Sequence, residues 1–251
     1  MAIPFTVLTC SLLLSTPPAW AVPIPGVFST GVDDSGIALA PGMPDPHYAL
    51  ILDPSHSLDP KPKVTNDRPP TWVANPTGSP AAQWINPNGI GGATSTKGRL
   101  VDGTYTYSLT FDLAGLIPST AVISGQWASD NDASMFLNGD VVPVSSIPFP
   151  DPSWTPYSFD HFTAFTISSG FVDGLNTLEF AVHNAFTFIS DDRPSPTGLL
   201  VQITSATVTG TPLPPASVPE PASLLLFGSG LVGIAARRYF FGGCRTTLSQ
   251  T

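Results

Sequence analysis

Thr104-Tyr105-Thr106-Tyr107-Ser108-Leu109-Thr110-Phe111-Asp112-Leu113 alternates polar and apolar residues without a break over ten positions. Successive side chains of an extended chain point to opposite faces. The stretch therefore puts Tyr105, Tyr107, Leu109, Phe111 and Leu113 on one face, and hydroxyls and a carboxylate on the other. That is a strand with one buried and one wet face. The same period of two returns at Leu178, Phe180 and Val182 against Thr177, Glu179 and His183, and at Leu199, Val201 and Ile203. Shorter runs at 47–52, 71–74, 83–85, 121–127, 134–137 and 162–167 bring the expected strands to nine.

Between these runs lie reversals. Asn138-Gly139, set between Met135-Phe136-Leu137 and Val141-Val142, is the dipeptide of a type I′ hairpin, whose two central residues both need positive φ. Residues 170–176 and Gly198 read as further reversals. The chain holds 22 glycines and 29 prolines, yet 42% of its residues are hydrophobic, enough to drive collapse. No amphipathic helix and no long internal repeat stands out between Val22 and Gly210. The expected fold class is all-β: a two-sheet, jelly-roll β-sandwich of about 8–9 antiparallel strands over residues 22–210.

The two ends read differently. Residues 3–14 are mostly apolar but too short to span a bilayer, and Ala19-Trp20-Ala21 after them is a small-x-small cleavage site. Residues 1–21 are expected to be a signal peptide, cut after Ala21. At the other end a Pro-rich linker, 211–217, leads to Val218-Pro219-Glu220-Pro221, an uncharged run from Leu224 to Ala236, and Arg237-Arg238. With Ala222 and Ser223 the uncharged stretch reaches 15 residues, which rise roughly 22 Å as a helix, short of a ~30 Å hydrocarbon core. Such a segment suits temporary retention in the inner membrane, with the arginine pair as a basic stop on the cytoplasmic side and 239–251 as a cytoplasmic tail. The G-x-G-x-x-G at 228–233 has no preceding strand and no βαβ unit, so it belongs to this apolar run and not to a nucleotide site.

In that order, Pro219-Glu220-Pro221, apolar run and basic pair resemble the PEP-CTERM sorting signal of Gram-negative bacteria, here over 218–238. The resemblance implies processing near Pro219-Glu220-Pro221 by an exosortase-type enzyme and delivery to the cell surface or extracellular matrix. Residues 127–131 with Leu137-Asn138-Gly139, and 171–180, resemble galactose-binding-domain-like jelly rolls. Residues 31–36 with Asp45-Pro46-His47 are similar to the opening of domains that carry the same tail.

The charge excludes some partners. Seventeen acids and six bases fall between Val22 and Pro219, a net −11, without any Lys/Arg cluster, so no nucleic-acid binding is expected. Cys10 and Cys244 lie in the leader and the tail, which leaves the domain no disulfide, zinc or thiol chemistry. No hydrolase, phosphate-loop or zinc-protease motif occurs, and Glu179 is the domain's one glutamate, so no catalytic residue is assigned and the domain is read as no enzyme. Asp130-Asn131-Asp132 opens like a calcium loop but has Met135 and Val141 where an EF-hand needs Gly and Glu. Asp130 and Asn131 are expected to brace a tight connection through side-chain-to-backbone hydrogen bonds. No metal ligand set and no cofactor is assigned, with a structural calcium ion at that turn as the alternative.

Trp72, Trp84 and Trp127, on expected strands, are core candidates. Trp154 and Tyr157, in a Pro-rich stretch, are candidates for stacking on sugar faces. The expected function is a non-catalytic, carbohydrate-binding surface protein with extracellular polysaccharide as partner. The alternatives are a structural or adhesive protein-binding module, and a hydrolase using an unrecognised Asp pair.

Overall fold

The strand pattern runs through the residues that the computed structural model describes, 20–56, 60–91, 100–143, 158–184 and 196–210. They form eleven strands and no helix: β1 (Ala21–Pro23), β2 (Tyr48–Leu52), β3 (Lys63–Val64), β4 (Ile85–Asn86), β5 (Gly103–Asp112), β6 (Leu116–Asp130), β7 (Asp132–Leu137), β8 (Asp140–Val141), β9 (Thr163–Ile167), β10 (Leu175–Asn184) and β11 (Gly198–Gly210). All pairings between them are antiparallel. One sheet runs β3-β4-β11-β6-β9, with β1 also on β11, and the other runs β2-β5-β10-β7-β8. The expected all-β, two-sheet architecture is what the chain adopts, within a compact unit Ala19–Thr211.

The core lies between the sheets. Tyr105, Tyr107, Leu109 and Phe111 of β5 and Leu178, Phe180 and Val182 of β10 are fully or almost fully buried, against Ile123 and Trp127 of β6 and Val201 of β11. Burying each large side chain stabilises the fold by about 1.5–3 kcal/mol, and the period of two decides which ones are buried. Asn138 and Gly139 have φ of 53° and 86° and join β7 to β8 with Leu137 opposite Asp140, which is the expected hairpin.

Two expectations fail. Residues 71–74 form no strand, because Trp72 closes a turn onto the Pro69 carbonyl and Val73 donates to the Phe159 carbonyl. Trp72 instead joins Trp84, Ala82, Ala128 and Leu200 in a second apolar cluster. Gly198 is no reversal but the first residue of β11, where an added Cβ would lie 2.8 Å from the Trp72 ring.

Strand registers set two poles. Leu116 pairs with Gly210 and Ala21 with Thr209 at one end, beside the turns at 113–115, 138–139 and 170–174. At the other end Asp130 pairs with Gly198, Asp132 with His183 and Gly103 with Asn184. The thirteen residues of β11 separate the two by roughly 40 Å. We call them the chain-end pole and the loop pole.

The N-terminal motif is structural. The buried carboxylate of Asp45 accepts hydrogen bonds from the backbone N–H of Gly31 (2.6 Å), His47 (2.8 Å) and Tyr48 (3.1 Å), and so knots residues 28–34 to the start of β2. Burial pushes its pKa up, while those donors and the neighbouring His47 pull it back. Asp45→Ala orphans three backbone donors, those of Gly31 and Tyr48 buried and that of His47 partly so, and urea denaturation should show about 2–4 kcal/mol less stability at an unchanged m-value.

Candidate functional site

The loop pole concentrates the polar chemistry. At the end of β6 the Asp130 carboxylate is buried and accepts from the Trp72 indole N–H at 2.9 Å. It does not brace the β6–β7 connection through backbone bonds as expected. Three hydroxyls do that work: Ser129 Oγ donates to the Asn131 carbonyl at 2.9 Å, Ser158 Oγ to the Ser129 carbonyl at 3.0 Å and also to that of Asn131, and Thr197 Oγ1 to the Asp130 carbonyl. The Asn131 N–H donates to the His183 carbonyl at 3.0 Å. Residues distant in sequence are thereby sewn to one turn.

Around this turn, Tyr105 Oη donates to the Val101 carbonyl at 3.0 Å. Asn184 Nδ2 donates to the carbonyls of Leu100 and Val101 at 3.2 and 3.1 Å. His183 lies between two carboxylates, with Nδ1 3.3 Å from Asp132 Oδ1 and Nε2 3.5 Å from Asp102 Oδ1. The Trp72 and Trp84 rings pack 4.2 Å apart, and Trp84 Nε1 donates to the Val73 carbonyl at 2.9 Å. The pole thus gathers partly exposed polar groups, while the buried Trp72 and Trp84 pair packs on the Ala128 and Leu200 side of β6 and β11.

Of the residues singled out from the sequence, Trp72, Trp84 and Trp127 are buried, as core residues. Ala21 opens β1, opposite Thr209. Ala19, Trp154, Tyr157, Pro219, Glu220, Pro221, Arg237 and Arg238 lie outside the described residues, as do the apolar runs of the leader and the tail. Ser158, directly after Tyr157, is held at the loop pole by the bonds given above. Among the described residues no group of three or more His, Cys, Asp or Glu is placed to hold a metal ion. No local sequence motif marks Ser129, Ser158, Thr197, Asp102 or His183, because their partners lie in separate parts of the chain.

Burial raises the Asp130 pKa from 3.8 to about 7, partly opposed by the indole N–H. A carboxyl that holds its proton more tightly when folded contributes stability that is whole below about pH 4 and is lost as pH rises to about 7. Against Asp130→Asn, which removes the titration, wild-type stability should therefore fall by on the order of 4 kcal/mol between pH 4 and pH 8. Urea denaturation of both proteins at the two pH values measures the difference.

Comparison with known proteins gives one family match: residues 217–238 fit the PEP-CTERM protein-sorting motif. Among solved structures the chain is similar to a CBM35 from Paenibacillus barcinonensis, at 16% identity and a TM-score of 0.27, over 57% of this chain and 92% of that one. A family 35 carbohydrate binding module from an environmental isolate is similar at 14% identity and a TM-score of 0.26, over 59% of this chain and 88% of that one. No curated protein matches. The Pro-Glu-Pro tripeptide, the uncharged run and the arginine pair thus form a PEP-CTERM protein-sorting motif at residues 217–238.

Proposed function

We propose that this chain is an exported exosortase substrate, delivered to the surface or extracellular matrix of a Gram-negative bacterium, whose sandwich binds carbohydrate at its loop pole without catalysis. The observation that carries the reading is the sorting motif at residues 217–238. In this reading the leader is cut after Ala21 and the domain crosses the inner membrane. The short apolar run then holds the chain there, with Arg237 and Arg238 inside and Pro219-Glu220-Pro221 within reach of the processing enzyme outside.

The carbohydrate part rests on the loop pole. Asp102, Asp132 and His183 supply hydrogen-bonding groups of the kind that read sugar hydroxyls, and Trp154 and Tyr157, close in sequence to Ser158, are the residues whose type suits stacking on a sugar face. Gly210, the last described residue, pairs with Leu116 at the chain-end pole, roughly the length of β11 away from Asp102, Asp132 and His183. A net charge of −11 between Val22 and Pro219 suits a neutral or cation-bridged glycan better than a polyanion.

Intact mass of the protein recovered from the cell surface should show it starting at Val22 and lacking the apolar tail, and Glu220→Ala should leave the tail in place. Recovery of a surface form that still ends at Thr251 would overturn the sorting reading. On a glycan array, Trp154→Ala and Tyr157→Ala should each weaken binding by roughly tenfold or more, since ring stacking contributes on the order of 1–3 kcal/mol. Undiminished binding would remove these rings from the site, and no glycan bound at all would favour the adhesive alternative.

A further inference from the structure

A neutral imidazole carries one N–H and one lone pair, so it can donate to only one carboxylate, and its lone pair repels a second. His183 faces one carboxylate with each ring nitrogen: Asp132 Oδ1 lies 3.3 Å from Nδ1 and Asp102 Oδ1 3.5 Å from Nε2. Only the imidazolium, with two donors, satisfies both contacts. These acids belong to different parts of the fold. Asp132 opens β7 directly across the ladder from His183, whereas Asp102 lies on the approach to β5, next to residues 100 and 101.

We propose that His183 is a proton-dependent staple at the loop pole: protonated, it ties the approach to β5 onto the β6–β7 turn, and deprotonated, it releases Asp102. Asp102 is the partner released because the Nδ1 contact to Asp132 is shorter and has hydrogen-bond geometry. The Asp102 side chain is also 48% exposed, against 30% for Asp132, so water replaces its contact more readily. Among the described residues, Asp53 and Asp102 both act on Tyr105, the buried Asp130 ends β6, and Glu179 shares the face of β10 roughly 13 Å along the strand. The staple does not depend on what the pole binds, and it would make any site built there firmer in acid than in alkali.

A reporter can be placed without interference, because the only cysteines are Cys10 and Cys244. In the full chain carrying Cys10→Ser and Cys244→Ser, a nitroxide on Val101→Cys, a residue 46% exposed, reads the mobility of the segment beside Asp102. Between pH 5.5 and pH 8 the mobile component of its spectrum should grow roughly two- to fivefold, the scale of one exposed ion pair. His183→Gln and Asp102→Asn should be mobile at both pH values. Asp132→Asn should stay held at both, since a ring with one N–H can then serve Asp102 alone, and Asp130→Asn should keep the wild-type step. A wild type without a step, a step that survives His183→Gln, or a step lost in Asp130→Asn would each overturn the proposal.

Discussion

The ladder between β6 and β11 is the constraint on which the rest of this structure depends. It runs from Leu116 opposite Gly210 to Asp130 opposite Gly198, with register shifts between Ile203 and Ser205 and between Thr207 and Thr209 that twist the strands. Because it crosses the whole domain, it sets which residues meet at each pole. The outer edge of β11 is closed by the start of the domain. Ile24 and Thr30 donate backbone N–H groups to the Ala206 and Val201 carbonyls, while Thr30 Oγ1 and Ser29 Oγ accept from Val201 and Ile203. The first and last segments of the domain thus complete one another. A chain that depends on such distant pairings finishes folding only when its last strand has arrived.

Edges elsewhere are managed by the same economy of short covering segments. The Leu50 N–H of β2 donates to the Pro60 carbonyl at 2.6 Å, and the Asp45 N–H to that of Pro62 at 2.8 Å, so the end strand of the smaller sheet does not present an open row of donors. Side chains with oxygens do much of this work, which explains how a domain with no cysteine and so many loops holds together. Asp45 knots the entry, Asn176 ties its own turn to Val172 and Gly174, and Asn138 bridges to Gly170 and Asn176.

At the loop pole these devices produce a different result. Trp72 and Trp84 cover Leu200 and Ala128, and the indole N–H of Trp72 needs an acceptor once buried. Asp130 provides it at the cost of holding a carboxyl group away from water. The acids of that turn are consequently unlike one another: Asp130 is buried against an indole, and Asp132 is half-exposed beside an imidazole. A bare Asp-Asn-Asp string contains nothing that separates them.

Period-two alternation settled the fold class and most strands from the sequence alone, because burial of one face is written residue by residue along each strand. It reached β5, β10 and β11 directly, and Asn138-Gly139 marked its hairpin through the backbone freedom it requires. The sorting motif was legible for the same reason, being local in sequence. Strands of two or three residues, such as β1 and β3, are too short to show a period. The stretch around Trp72 imitates a strand yet serves as a cover, since a bulky ring is drawn to whichever apolar surface the fold leaves exposed. The pairing of His183 with Asp102 and Asp132, and of Trp72 with Asp130, was decided only by tertiary structure. Those contacts arise where separate connections converge at one end of a long ladder, and convergence is a property of strand register, which no single segment contains.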